Sequence, residues 1–136
     1  MEIEWTIEEF ADEPYDCLGS ISIKSENGEI SVDCAYIDSW LYALGNAIVC
    51  LQDDMKEMEI DLFEESGPLS IIPSSEGLFV LYKKSRLFVK TLTEYKSGVS
   101  NAIQRYIDNC YSSGTHDYNP QMIKDLKSIL KNIRSN

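Results

Sequence analysis

The chain has 136 residues, of which 43% are hydrophobic. That suits one globular domain with its own core, and it excludes a two-domain architecture and a disordered chain. The net charge of −11 is unevenly placed: residues 1–65 hold eighteen Asp and Glu against Lys24 and Lys56 alone, whereas residues 66–136 hold five acids and ten Lys and Arg. Such an asymmetry points to an acidic surface with a basic partner, and it disfavours direct binding of nucleic acid. No apolar run approaches the ~20 residues that a membrane helix needs.

The first segment, Glu4 to Phe10, alternates Ile3, Trp5 and Ile7 with polar residues. It reads as an edge strand or an N-terminal arm within residues 1–14, ended by Glu13-Pro14. Asn27-Gly28 then supplies two residues tolerant of positive φ, as a type I′ hairpin turn requires. Pairing Glu26 with Glu29 sets Ile23 opposite Val32 and Ile21 opposite Cys34, with the apolar partners on one face. Strands are predicted at 18–25 and 29–36.

Asp38 reads as an N-cap for a helix over 38–52, since Trp40, Leu41, Leu44, Ala47, Ile48 and Leu51 recur at helical spacing. Asp53 and Asp54 follow at its C-terminal end, where the helix dipole disfavours negative charge. From 56 to 63 the pattern changes to period two. Met58, Ile60 and Leu62 point one way, and Glu57, Glu59 and Asp61 point the other, which predicts a half-buried strand with a carboxylate row on its open face.

Short strands follow at Leu69 to Ile72, Leu78 to Tyr82 and Leu87 to Leu92. The second of these is apolar on both faces, as a central strand would be. Val99, Ile103, Tyr106, Ile107 and Cys110 form the stripe of a helix over 95–112. Asn119-Pro120 opens a last helix whose apolar face is Met122, Ile123, Leu126, Ile129, Leu130 and Ile133. The order predicts an α+β fold: a mostly antiparallel β-sheet of about five or six strands with three helices packed on it, in one domain over 1–136.

Four cysteines, Cys17, Cys34, Cys50 and Cys110, lie among apolar neighbours with no CxxC spacing, so they read as reduced structural thiols. The single histidine, His116, stands in a loop near Asp117 with no nucleophile motif beside it. No glycine-rich phosphate loop, HExxH or calcium loop is present. The reading is therefore a binding protein without catalytic residues, cofactor or metal. Its candidate contact residues are the carboxylates Asp53, Asp54, Glu57, Glu59, Asp61, Glu64 and Glu65, flanked by Tyr36 and Tyr42, with Tyr15 and Tyr118 as further aromatic candidates.

The run Tyr36-Ile37-Asp38-Ser39-Trp40-Leu41-Tyr42-Ala43-Leu44-Gly45 is similar to the strand-into-helix segment of small bacterial immunity proteins. Those proteins protect cells against contact-dependent growth-inhibition toxins and related polymorphic toxins. The Ser39-Trp40 pair, four residues before Leu44-Gly45, carries most of the likeness. Leu78 to Tyr82, Leu87 to Lys90 and Asp117 to Leu130 fall in similar places, so the resemblance spans roughly 29–134. Its residues form the core, and no binding residue carries over from it. The resemblance implies a cytoplasmic inhibitor, and the chain is expected to be a monomer or a weak dimer. Such an inhibitor binds a cognate basic toxin domain at the C-terminus of a large secreted protein and covers its active or substrate-binding surface. Many such toxins are nucleases. The alternative is an acidic mimic of nucleic acid, or a small regulatory binding protein without a toxin partner.

Overall fold

The computed structural model describes residues 1–10, 17–62, 65, 67–113 and 118–135, with the side chain of Ser113 left aside. The chain is α+β. A three-stranded antiparallel sheet is built from β1 (Glu2–Phe10), β2 (Cys17–Ser25) and β3 (Gly28–Tyr36), in that order. Helix α1 (Ile37–Asp53) follows, and then a four-stranded antiparallel sheet of β4 (Met58–Ile60), β5 (Leu69–Pro73), β6 (Leu78–Tyr82) and β7 (Ser85–Val89). Helices α2 (Leu92–Ser113) and α3 (Pro120–Ser135) close the chain. The sequence pattern predicted five or six strands in one sheet. Among the described residues seven form, in two sheets: residues 2–10 make a full edge strand, and β3 lies against β7 without joining its ladder.

The β2–β3 hairpin stands where Asn27-Gly28 placed it, but in a different register. Ser25 faces Gly28, Lys24 faces Glu29 and Ile23 faces Ile30, so Glu26-Asn27 is the two-residue loop. As far as Val32 the partners move by two residues, which leaves those side chains on their expected face; beyond it they move by one, and Ala35 instead of Cys34 is buried. The cause is long-range. Gly28 has φ of +150° and sits so close to β7 that a Cβ there would lie 2.2 Å from the Arg86 carbonyl oxygen. Only glycine fits this contact, so it opens β3 instead of finishing the turn. Farther along, Asp33 and Cys34 together oppose Ser20 in a β-bulge, with Cys34 at φ +55°.

The period-two patterns put Ile3, Ile21, Ile23 and Ile30 of the first sheet, and Leu69, Ile71, Val80 and Leu87 of the second, against the helices. Helix α1 supplies Trp40, Leu41, Leu44, Ile48 and Leu51 to the same core. Its N-cap is Tyr36. Asp38 lies inside the first turn, fully buried, with Oδ1 accepting the Ser39 N–H at 3.1 Å. Helix α3 packs on α1 at Gly45, where a Cβ would meet Ile129 Cγ2 at 2.7 Å. Its start follows the sequence: Asn119 Oδ1 caps the N–H groups of Gln121 and Met122 at 3.0 and 3.2 Å. Helix α2 covers the free edge of β1. Arg105 donates to the Trp5 carbonyl at 3.2 Å, and the Trp5 indole donates to the Ala102 carbonyl at 3.2 Å. An edge carbonyl held by a guanidinium is not available to another strand.

All four cysteines are free. Cys17 and Cys110 are buried, as their apolar neighbours suggested, whereas Cys34 and Cys50 are exposed: the first stands in the bulge and the second on the outer side of α1. No described helix is long and apolar enough to cross a membrane.

Candidate functional site

The acidic half of the sequence does not fold into one patch. Most of its described carboxylates lie in three places, and the chemistry around each differs.

The first place is the open face of the first sheet. There Glu2, Glu4, Glu29 and Asp33 mix with Thr6, Ser20, Ser22, Ser31 and Lys24. A shallow groove of about 550 Å³ runs over it, reaching from Glu4 and Ser22 to Asp33 and Arg105. Glu29 Oε1 accepts hydrogen bonds from Ser31 at 2.8 Å and Ser22 at 3.1 Å, and those bonds hold its carboxyl below the usual carboxylate range. The exposed side chains of this surface are mostly polar, and Trp5, Ile21 and Val32 also line the groove.

The second place is the C-terminal end of α1. Asp54 is the C-cap, its N–H bonded to the Cys50 carbonyl, and its side chain pairs with Lys56 at 3.1 Å. Asp53 turns the other way, into a depression with Cys50, Met55, Leu92 and Lys96. Lys56 thus offsets the charge of Asp54, one of the two carboxylates that stood in a poor position on the helix.

The third place is the open face of the second sheet. The predicted alternation holds: Met58 and Ile60 pack against the core, Leu62 is buried, and Glu57, Glu59 and Asp61 are exposed. The strand itself is shorter than expected, Met58–Ile60, and forms the edge of its sheet. Register extends this carboxylate row into something the sequence did not suggest. Glu59 stands level with Ser70, Leu81 and Arg86, and in the next level Ile72, Phe79 and Phe88 align. Ile72, Phe79, Leu81 and Phe88 are only half-buried, and the Phe79 and Phe88 rings lie 5.0 Å apart. An apolar and aromatic strip therefore lies between an acidic edge and Arg86. Strand β6 had read as apolar on both faces and hence as covered on both. Among the described residues no helix packs over this side, so the same pattern marks a half-open face. Phe88 on β7, apolar on the face opposite Leu87 and Val89, was the second signal for it.

The remaining candidates separate from this face. Glu65 is drawn inward: its Oε2 accepts the Tyr82 hydroxyl at 2.6 Å and its Oε1 accepts the Trp40 indole at 3.4 Å, under the edge-to-face pair those two rings make. Tyr42 is exposed, but it lines the groove between α1 and α3 with Asn46, Asp125 and Asn132, on the helical side. Tyr36 is half-buried at the β3–α1 junction. Tyr118 is buried against Tyr106 and Phe10 and is a core residue. Glu64, Tyr15 and His116 lie outside the described residues. Among the described residues no group of three or more His, Cys, Asp or Glu is arranged to hold a metal ion.

The interior cluster of Tyr106, Cys17, Cys110 and Asp38 is also accounted for by packing. Tyr106 Oη lies 3.4 Å from Cys17 Sγ, and burial raises its pKa above the ordinary phenol value. Burial likewise pushes the Cys110 thiol up to about 11, with the Asp38 charge acting in the same direction. Such thiols are poor nucleophiles near neutral pH.

Comparison with known proteins finds no matching family model, no similar curated protein and no similar solved structure. The likeness to immunity proteins therefore rests on the sequence segments that suggested it.

Proposed function

We propose that this chain is an immunity-type binding protein that neutralises a cognate basic toxin domain, gripping it with the open face of the second sheet. The observation that carries the reading is the juxtaposition on that face. The exposed carboxylates of Glu57, Glu59 and Asp61 make no ion pair among the described residues, and they border the half-exposed Phe79–Phe88 pair with Ile72 and Leu81. Protein interfaces that hold tightly combine a desolvated aromatic centre with a polar rim. Carboxylates at the rim speed encounter with a cationic partner and select against anionic ones. The acidic face of the first sheet carries no half-exposed aromatic pair among its described residues, so it favours steering over grip.

A nuclease domain presents Lys and Arg to its substrate phosphates, and an acidic inhibitor on that surface excludes the nucleic acid. The proposed setting is the cytoplasm of the cell that makes the toxin. In the test, the chain is co-expressed with the basic toxin domain encoded beside its gene, and association and dissociation are followed across a salt series. The expected complex survives moderate salt. Reversing Glu57, Glu59 and Asp61 to Lys slows association about tenfold or more at low salt and flattens the salt dependence. Phe79→Ser acts on dissociation instead. Absence of a complex at low salt overturns the proposal, and an unchanged association rate in the triple variant moves the contact face elsewhere.

A further inference from the structure

The open face of the second sheet is complementary to itself. Its charge changes sign across the strands: acidic at Glu59 on β4, with Glu57 and Asp61 just beyond the two ends of that strand, apolar over β5 and β6, basic on β7 at Arg86. At the level of Glu59 the outward residues read Glu59, Ser70, Leu81, Arg86, and at the next level Ile72, Phe79, Phe88. Arg86, like the three carboxylates, makes no ion pair among the described residues.

We infer that the chain, without its partner, forms a two-fold dimer through this face, with Arg86 of each copy against Glu59 of the other. The geometry follows from the register. Consider a two-fold axis running midway between two such faces, parallel to the strands and passing between β5 and β6. It reverses the lateral order of the strands and preserves the level along them. The β7 of one copy then lies over the β4 of the other, and β6 over β5. Arg86 meets Glu59 twice, once on each side of the axis. Phe79 meets Ile72 twice, and Leu81 covers Ser70. The outermost strand axes are only about 14 Å apart, three spacings of about 4.8 Å, so the face fits the aligned packing of two sheets about 10 Å apart. A surface this small gives a weak dimer that forms and dissociates with concentration. Because the dimer covers the same Phe79–Phe88 strip, it excludes the toxin contact proposed above. The dimer itself does not depend on that proposal, since it is measured on the chain alone.

The test is sedimentation equilibrium of the purified chain over a wide concentration range. The wild type is expected to pass from monomer to dimer. Glu59→Arg and Arg86→Glu each place like charges in contact twice per dimer and weaken association about tenfold or more. Both positions are exposed, so folding is retained and is checked by circular dichroism. The double variant E59R/R86E restores the dimer. So does an equimolar mixture of the two single variants. In that heterodimer one copy carries a cation at both positions and the other a carboxylate at both, so each of the two contacts joins opposite charges. A chain that stays monomeric at every concentration overturns the inference and leaves the face to a foreign partner. A dimer unaffected by either single reversal overturns it equally, by placing the interface on another surface.

Discussion

The phenol of Tyr82 donates a 2.6 Å hydrogen bond to Oε2 of Glu65, and the partner oxygen of that carboxylate takes the Trp40 indole at 3.4 Å. Trp40 and Tyr82 are almost fully buried, so both donors depend on Glu65 for a partner. Removing the carboxylate by Glu65→Ala strands two buried donors and is expected to cost about 1–3 kcal/mol in urea unfolding. Glu65→Gln keeps an acceptor and costs less. Glu57→Ala, on an exposed side chain eight residues earlier, is expected to stay within about 0.5 kcal/mol of wild type. Equal effects at positions 57 and 65 would remove the distinction between a carboxylate that holds the fold and one that faces outward.

Gly28 makes a comparable prediction for the backbone. A methyl group there meets the Arg86 carbonyl at 2.2 Å and the Leu87 Cα at 2.9 Å, at a φ that L-residues avoid. Neither neighbour is the tip of a flexible side chain, so the two sheets must separate locally. Gly28→Ala is expected to destabilise by about 2 kcal/mol or more, read from the thermal midpoint. Gly67, with nothing within 4 Å of its added Cβ, is the control, and Gly67→Ala is expected to have little effect.

These two sites also show how far the sequence could be read. Period-two alternation is a property of the local chain, so the faces of residues 21–32 and 57–62 were legible, whereas the bulge that turns Cys34 outward was not. The hairpin register was not, because it is set by a β7 carbonyl that meets Gly28 from almost sixty residues away. Glu65 stands in an acidic run and looked like its neighbours; only the folded position of Trp40 and Tyr82 gives it a different role. The apolar strip was hidden for a related reason. A strand with Phe79 and Leu81 on one face and Leu78, Val80 and Tyr82 on the other predicts two covered faces, and no local pattern reveals which cover is missing. Charge counted along the chain likewise says nothing of edges. Both β1 and β4 are outermost strands, and acidic side chains along an outermost strand discourage pairing with other chains, which accounts for part of the excess.

Thiol reactivity should divide the cysteines in two. Cys34 and Cys50 are exposed, whereas Cys17 and Cys110 are buried, with Tyr106 against Cys17. Native protein at mildly alkaline pH is expected to give two fast-reacting thiols with a disulfide reagent, and four after unfolding. The Cys110 shift also fixes a sign. Its folded pKa, pushed up to about 11 by burial, lies above the ordinary value of 9.0. Its contribution to stability is therefore full below about pH 9 and is lost as pH rises toward about 11. The buried phenols of Tyr95 and Tyr106 are raised by burial too and act in the same direction at still higher pH. Cys110→Ala is expected to flatten the first part of the alkaline decline, measured as urea midpoint against pH.

At the acidic end the informative group is Glu29. Its carboxylate is favoured by the Ser31 hydroxyl first, the Ser22 hydroxyl second and, more weakly, by Lys24 at 4.0 Å. All three donors disappear as partners when the chain unfolds, so the folded pKa lies below the unfolded one. The contribution is then present above the unfolded pKa and lost as pH falls through the folded pKa. Carbon-detected NMR titration of the Glu29 carboxyl reads this directly. Ser31→Ala is expected to raise the midpoint most, Ser22→Ala less and Lys24→Ala least, since the side chains are exposed and water screens the charge more than it replaces a short hydrogen bond. The reverse order would mean that Lys24 and not the serine pair organises this face. The polar groove of the first sheet would then be a patch of loosely solvated charge without fixed geometry.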